Sequence, residues 1–180
     1  MQIPNLESLF RQLLDHRDQS EVTDFSTLGP WLQHQVRRCR LPDLDHIAFA
    51  AATYTRNPIA KEASNHNFEA LVMRWDKQAK TPIHGHPAFS FYYVMSGIFE
   101  MELFTHSATD GLRTQGSRLF YSADSIWFWG QTQQYDNFIH RVKCLEPGHT
   151  FHVYSEDAQK GVSFRTVSTV DFNVTEAYCA

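Results

Sequence analysis

The chain has 180 residues, 42% of them hydrophobic, which suits one domain with a sizeable core. Its net charge is −4, and Arg37, Arg38 and Arg40 are its one basic cluster, too small for a nucleic-acid footprint. No apolar run approaches the ~20 residues of a membrane span, and Met1-Gln-Ile-Pro-Asn-Leu-Glu lacks the basic and apolar regions of a signal peptide. Cys39, Cys144 and Cys179 are odd in number and at no metal-ligand spacing. They read as reduced thiols, so a cytoplasmic monomer that binds neither nucleic acid nor membrane is expected.

In chain order, the first sixty residues read as helical. Leu6, Leu9, Phe10, Leu13 and Leu14 recur at helical spacing, and Leu28, Leu32 and Val36 mark a second helix after Ser26. Pro42 suits the first turn of a third, with Leu44, Ile47 and Ala48. The period then changes. Segments 68–75, 89–95, 98–104, 118–121, 125–129, 138–145, 150–155 and 162–170 read as strands, helped by abundant aromatics. Turn chemistry separates them at Lys80-Thr-Pro82, Ser96-Gly97, Thr109-Asp-Gly111, Ala123-Asp124 and Glu146-Pro-Gly148. About eight short strands predict a mainly β jelly roll or barrel. Residues 1–180 read as one domain, helical over about 1–60 and barrel over about 66–172.

His84-Gly85-His86 opens an apolar run. On a strand, residues i and i+2 share a face, so both imidazoles can address one metal ion. His140, in the strand-like Phe138-Ile139-His140-Arg141-Val142, can fold back across a barrel as a third nitrogen ligand. Three histidines leave about half of an octahedral ion's positions open for substrate and oxygen, which points to a small metal-dependent oxygenase.

The stretch from Ile83 to Gly97, with the later Gly130…His140, resembles the cupin motifs. This implies a cupin-type jelly-roll barrel with an N-terminal helical segment. Many cupins carry a glutamate ligand four or five residues after the His-x-His, where this chain has Ser90 and Phe91. A neutral three-histidine set keeps the site's charge higher and favours anionic ligands such as a thiolate.

Several strings in the same order resemble the thiol dioxygenases of cysteine dioxygenase type. They are Tyr54-Thr55-Arg56-Asn57, Phe68-Glu-Ala-Leu-Val-Met-Arg-Trp75, Ile83-His84-Gly85-His86, Ile139-His140-Arg141-Val142 and Phe151-His152-Val153-Tyr154-Ser155. The resemblance implies Fe(II) held by His84, His86 and His140, and addition of both oxygens of O2 to a thiol to give a sulfinic acid. Arg56 would bind the substrate carboxylate through its planar fork, and Tyr54 would either seat that carboxylate or simply pack. Tyr154 would hydrogen-bond near oxygen or thiolate, with His152 and Thr150 behind it as an imidazole and hydroxyl relay. Trp75 and Phe91 read as pocket walls.

Two positions depart from that family. Phe91 stands where the animal enzymes carry a cysteine cross-linked to the tyrosine, so no thioether forms through it. Ser155-Glu156 replaces their Ser-Pro step, which removes any reason for a cis bond and leaves the loop after Tyr154 free to take another path. Members acting on 3-mercaptopropionate also lack that proline and use an arginine beyond the tyrosine, a place Arg165 could fill. Cysteine, giving cysteine sulfinate, is the expected substrate. The alternatives are 3-mercaptopropionate or another small thiol, a cupin isomerase, and a non-catalytic metal-binding or sensing cupin.

Overall fold

Alternate residues of the strands face two different buried neighbours, and this organises the molecule. The structure is a computed structural model that describes residues 5–20, 25–40, 47–63, 67–109 and 111–165. Two helices, α1 (Leu6–Gln19) and α2 (Leu28–Val36), precede eight strands. These are β1 (Tyr54–Lys61), β2 (Glu69–Trp75), β3 (Ile83–His86), β4 (Phe89–Ser107), β5 (Gly111–Phe120), β6 (Ser125–Trp129), β7 (Asn137–Tyr154) and β8 (Ser163–Phe164), with a single 3-10 turn at Ala158–Lys160. All the strand pairings are antiparallel. The fold is the mainly β jelly roll with N-terminal helices that the sequence predicts.

Two long strands carry both halves of the curled sheet. β4 lies along β7, from Ser90 opposite Tyr154 to Leu103 opposite His140. The second half of β7 also pairs with β2, which pairs with β1, while its first half pairs with β3 and thence β8. β6 and β5 take the other edge of β4, each beside one half. The register shifts between Val94 and Phe99 mark the corner where both strands bend. Gly97 sits there at φ +91, where a Cβ would come within 2.7 Å of the Glu146 carbonyl.

One face of the β1–β2–β7–β4–β6 half packs on the helices. Leu6, Leu9, Phe10 and Leu13 of α1 and Leu28, Leu32 and Val36 of α2 meet Phe68, Ala70, Val72, Phe89, Phe91, Tyr93, Met95, Phe151 and Val153. The intervening residues Leu71, Met73, Trp75, Tyr92, Val94 and Tyr154 face inward with Phe99, Met101, Phe120, Val142 and Cys144. Strands buried on both faces read as continuous apolar runs rather than alternating ones. Each fully buried Leu or Phe contributes about 1.5–3 kcal/mol. Asn5 caps α1 by accepting from the Ser8 backbone N–H at 2.9 Å.

Several expected boundaries move. The helical reading of residues 1–60 fails at its end, because Tyr54–Lys61 is a strand bonded to β2. The Pro42 helix falls largely on residues outside those described, and 47–53 are not helical. Ser96-Gly97 and Glu146-Pro-Gly148 are not chain reversals but the facing sides of the corner, so 89–95 and 98–104 are one strand, as are 138–145 and 150–155. β5 begins at Gly111, well before the expected 118. Of the expected 162–170 strand, Ser163 and Phe164 are strand, and 166–170 lie outside the described residues.

The helical layer is fastened to the sheet by a charged clamp. Arg17, near the end of α1, gives two 2.8 Å hydrogen bonds to Glu62 just after β1, and its guanidinium lies 4.9 Å over the Phe68 ring. The Arg17 and Glu62 side chains are only 13% and 8% exposed, so removing one strands the other in poor solvent. Arg17→Ala should therefore lower unfolding free energy by about 3 kcal/mol in urea denaturation. Arg11→Ala, whose ion pair with Glu7 is exposed, should change it by less than about 0.5 kcal/mol.

Candidate metal centre and inner pocket

β3 places His84 and His86 on one face, and antiparallel pairing sets His84 opposite His140 of β7. The glycine between the two histidines is required by a close approach: a Cβ on Gly85 would lie 2.5 Å from the Asp136 Cα and 2.7 Å from the Tyr135 carbonyl oxygen. The three imidazoles form a nearly equilateral triangle, with ring centroids 4.7, 4.8 and 4.7 Å apart. One ligand nitrogen from each lies within 4.8 Å of the other two.

The hydrogen bonds orient two of these rings. His84 Nδ1 donates to the Pro82 carbonyl at 2.9 Å and His140 Nδ1 to the Phe138 carbonyl at 3.0 Å, which leaves each Nε2 with a free lone pair. His86 is buried with neither ring nitrogen hydrogen-bonded. A buried imidazole without a partner is costly in an empty apolar site and satisfied by a metal ion. The residues therefore fit a metal held by three neutral nitrogens.

The electrostatics agree with that use. Burial pushes the His86 pKa well below its ordinary value, and His140, His84, His152 and Arg56 push the same way. Burial and His84 pull His140 down to about 3 against the opposing Phe138 carbonyl. Burial lowers His84 as well, with Arg56 adding to it against the Pro82 carbonyl. Neutral imidazoles are the form that ligates metals.

A tight pocket of about 30 Å³ adjoins the triad. It is lined by Tyr54, Arg56, Met73, Trp75, Thr81, His84, His140, Val142, His152 and Tyr154, with no acidic side chain among these residues. Arg56, the exposed β1 residue opposite Met73, stands at its rim and also lines a vestibule of about 220 Å³ with Tyr54, Pro82, His84 and the 158–163 turn. The Tyr54 ring packs tilted against Trp75, with centroids 4.6 Å apart. The structure thus gathers His84, His140, Arg56, Tyr54, His152 and Tyr154 around one space, with His86 stacked on the Tyr154 ring at 5.2 Å.

Behind the pocket runs a chain of hydrogen bonds. The Trp75 indole N–H donates to Thr150 Oγ1 at 2.8 Å, Thr150 Oγ1 lies 2.7 Å from His152 Nε2, and His152 Nδ1 lies 2.9 Å from the Tyr154 hydroxyl. Indole can only donate, so Thr150 Oγ1 accepts from it; if Thr150 gives its own proton to Nε2, neutral His152 carries a proton on Nδ1 and gives it to the Tyr154 oxygen. In that arrangement the Tyr154 proton would point at the pocket. Burial raises the Tyr154 pKa, and Arg56 beside it opposes that rise. Burial, with Arg56, His140 and His84, keeps His152 well below its ordinary value and neutral.

Three expectations need adjustment. Phe91 is not a pocket wall; it lies opposite Val153 and packs in the helix-side core. The residue facing Tyr154 across the β4–β7 ladder is Ser90, a buried serine with its hydroxyl unpartnered, so no thiol stands opposite Tyr154. Arg165 is exposed just after β8 and lines neither the pocket nor the vestibule. Ser155 Oγ accepts from the Phe89 N–H at 3.0 Å, and Glu156 accepts from the Tyr135 hydroxyl at 2.8 Å. Ser90 and Tyr92, which contacts His152 edge-on at 5.1 Å, were missed by the sequence reading, although strict alternation along 89–95 places both on the inward face.

Three solved structures are similar to part of this chain. A cupin superfamily protein from Desulfitobacterium hafniense is similar over 62% of this chain and 84% of its own, at 9% identity and a TM-score of 0.45. KdgF from Halomonas sp. is similar over 63% and 88%, at 17% identity and a TM-score of 0.45. An RmlC-like cupin from Shewanella frigidimarina is similar over 61% and 89%, at 19% identity and a TM-score of 0.38. No family model and no curated protein matches the sequence. No helix among the described residues is long and apolar enough to cross a membrane.

The buried neutral histidines set a pH dependence. The unfolded chain takes up protons on them below pH ~6.5, whereas the folded protein refuses them, down to about 3 for His140. Each of His86, His140 and His152 then withdraws up to about 1.4 kcal/mol per pH unit below that point. Metal-free protein should lose about 3 kcal/mol between pH 7 and pH 5.5 in denaturant titrations. A flat profile would mean that these rings are not held neutral.

Proposed function

We propose that this protein is an Fe(II)-dependent thiol dioxygenase on a cupin-type barrel. In this reading it adds both atoms of O2 to the sulfur of a small thiol, with L-cysteine to cysteine sulfinate as the leading reaction. The observation that carries the reading is the company kept around the inner pocket: three neutral histidines and no acidic side chain, an arginine at the rim, and a buried Thr150–His152–Tyr154 chain. His84, His86 and His140 would hold the metal. Bound there, Fe(II) would supply the redox chemistry that brings dioxygen to a thiolate and yields a sulfinate.

The protein's own residues would bind, orient and exclude water. Arg56, exposed at the rim, would engage a carboxylate through two parallel N–H donors, fixing the thiol end inward. The small pocket, walled by Met73, Trp75 and Val142, keeps water few and favours a compact substrate. The Tyr154 hydroxyl, held by His152, would hydrogen-bond to substrate or developing oxyanion and strengthen as charge appears there. Neutral ligands leave the metal's charge uncompensated, which supports thiolate over neutral donors.

Oxygen uptake by Fe(II)-loaded protein with cysteine, 3-mercaptopropionate and cysteamine, with product masses, tests the assignment. A sulfinate from cysteine is expected, and uptake with no thiol despite bound iron would overturn it. His86→Ala should weaken metal binding by at least about 100-fold in competition titrations. Arg56→Ala should lower kcat/KM for carboxylate thiols by about 10- to 100-fold, while cysteamine, lacking a carboxylate, should change little. Tyr154→Phe should keep its iron and lose about 10-fold or more in turnover.

A further inference from the structure

β7 carries one more residue than β3 between their two paired positions: His84 pairs with His140, but His86 pairs with Asn137. This is a one-residue bulge, and Phe138 lies in it at φ +48. Bulges with a left-handed residue normally use glycine, and a bulky side chain there is a true outlier. The other non-glycine residues with positive φ among those described are Ala52, Asn67, Gln78, Ala123 and Gln133, so Phe138 is the aromatic one. A strained residue next to a site is kept where its side chain has a task there.

The surroundings identify the task. The Phe138 ring lies 4.5 Å from His140 and 6.2 Å from His86, and it stacks on Phe128 at 5.4 Å. Phe138 and Phe128 also line a cavity of about 540 Å³, far larger than the inner pocket. Leu103, Phe104, His106 and Ile139 are among its other walls, and none of the triad reaches it. The bulge thus has two effects from one extra residue. It brings His140 into register with His84, and it sets a phenyl ring between the histidines and the cavity.

We propose that Phe138 is the wall that closes the three-histidine centre off from this cavity and so limits the size of thiol the centre accepts. The size limit rests on the proposed thiol chemistry; the wall does not. Glycine adopts φ +48 without strain, so Phe138→Gly opens the wall while keeping the bulge. Phe138→Leu keeps an apolar plug.

Diethyl pyrocarbonate labelling of metal-free protein, read at each histidine by peptide mass spectrometry, tests the wall. His140 labelling should rise by more than about tenfold in Phe138→Gly, as expected when access no longer waits on local opening, and stay near the native rate in Phe138→Leu. His106, exposed on the cavity, serves as the internal control and should not change. Equal His140 rates in all three proteins would overturn the proposal. Co(II)-loaded protein then reports thiolate binding through its charge-transfer absorption. Mercaptoacetate should give the band in native and Gly proteins, benzyl mercaptan in the Gly variant alone. Benzyl mercaptan bound equally by native protein, or refused by an opened variant, would overturn the size limit. No band with any thiol, beside a His140 that opens as expected, would leave the wall standing and sink the thiol assignment instead.

Discussion

His140 and Tyr154 lie 14 residues apart on one strand, a span of about 46 Å if that strand were straight. They nonetheless line the same small pocket. The constraint behind this is the shared bend of β4 and β7, and everything functional in the molecule depends on it. One half of β7 offers a ligand to β3, the other offers His152 and Tyr154 beside β2, and the corner at Gly97 folds the two offers together. Closing a sheet this way requires a residue able to bend the ladder, hence glycine at positive φ where the strands turn.

The inner face trades apolar packing for a polar chain only where every member is accounted for. Trp75, Thr150, His152 and Tyr154 satisfy one another in sequence, so the buried network carries little cost beyond ordering it. His86 is an exception, as are the buried hydroxyls of Ser90 and Tyr92. The unpaired His86 nitrogens are the kind of local defect that a binding site tolerates and a structural core does not. The helices stabilise the same sheet from behind, so both of its faces carry a buried apolar cluster.

Much of this was legible in the sequence, because period-two patterning is a local signal. His84 and His86 on one face, the inward Thr150–His152–Tyr154 series, and the mainly β architecture all follow from it. What was missed has physical causes. Tyr54–Lys61 contains Pro58 and half-exposed residues, as an edge strand permits, and so lacks the apolar run of a central one. Ser96-Gly97 and Glu146-Pro-Gly148 carry the residues of a tight turn because a sharp corner demands the same backbone freedom. Phe91 was placed by counting from His86, whereas the ladder, which sets Ser90 against Tyr154, decides the face. Nothing in the residue type announces Phe138's bulge, since that signal is ordinarily a glycine.

The separation of the three histidines in the chain bears on how the protein assembles. His86 and His140 are 54 residues apart, and Ser90 meets Tyr154 across 64. No local segment can present the triad, so the centre exists only after β3 has paired with β7, which sets His84 opposite His140. Long-range antiparallel closure is slow, in the range of milliseconds to seconds for sheets of this kind. A metal ion bound there would tie β3 to β7, and its binding free energy would add to that of the folded barrel.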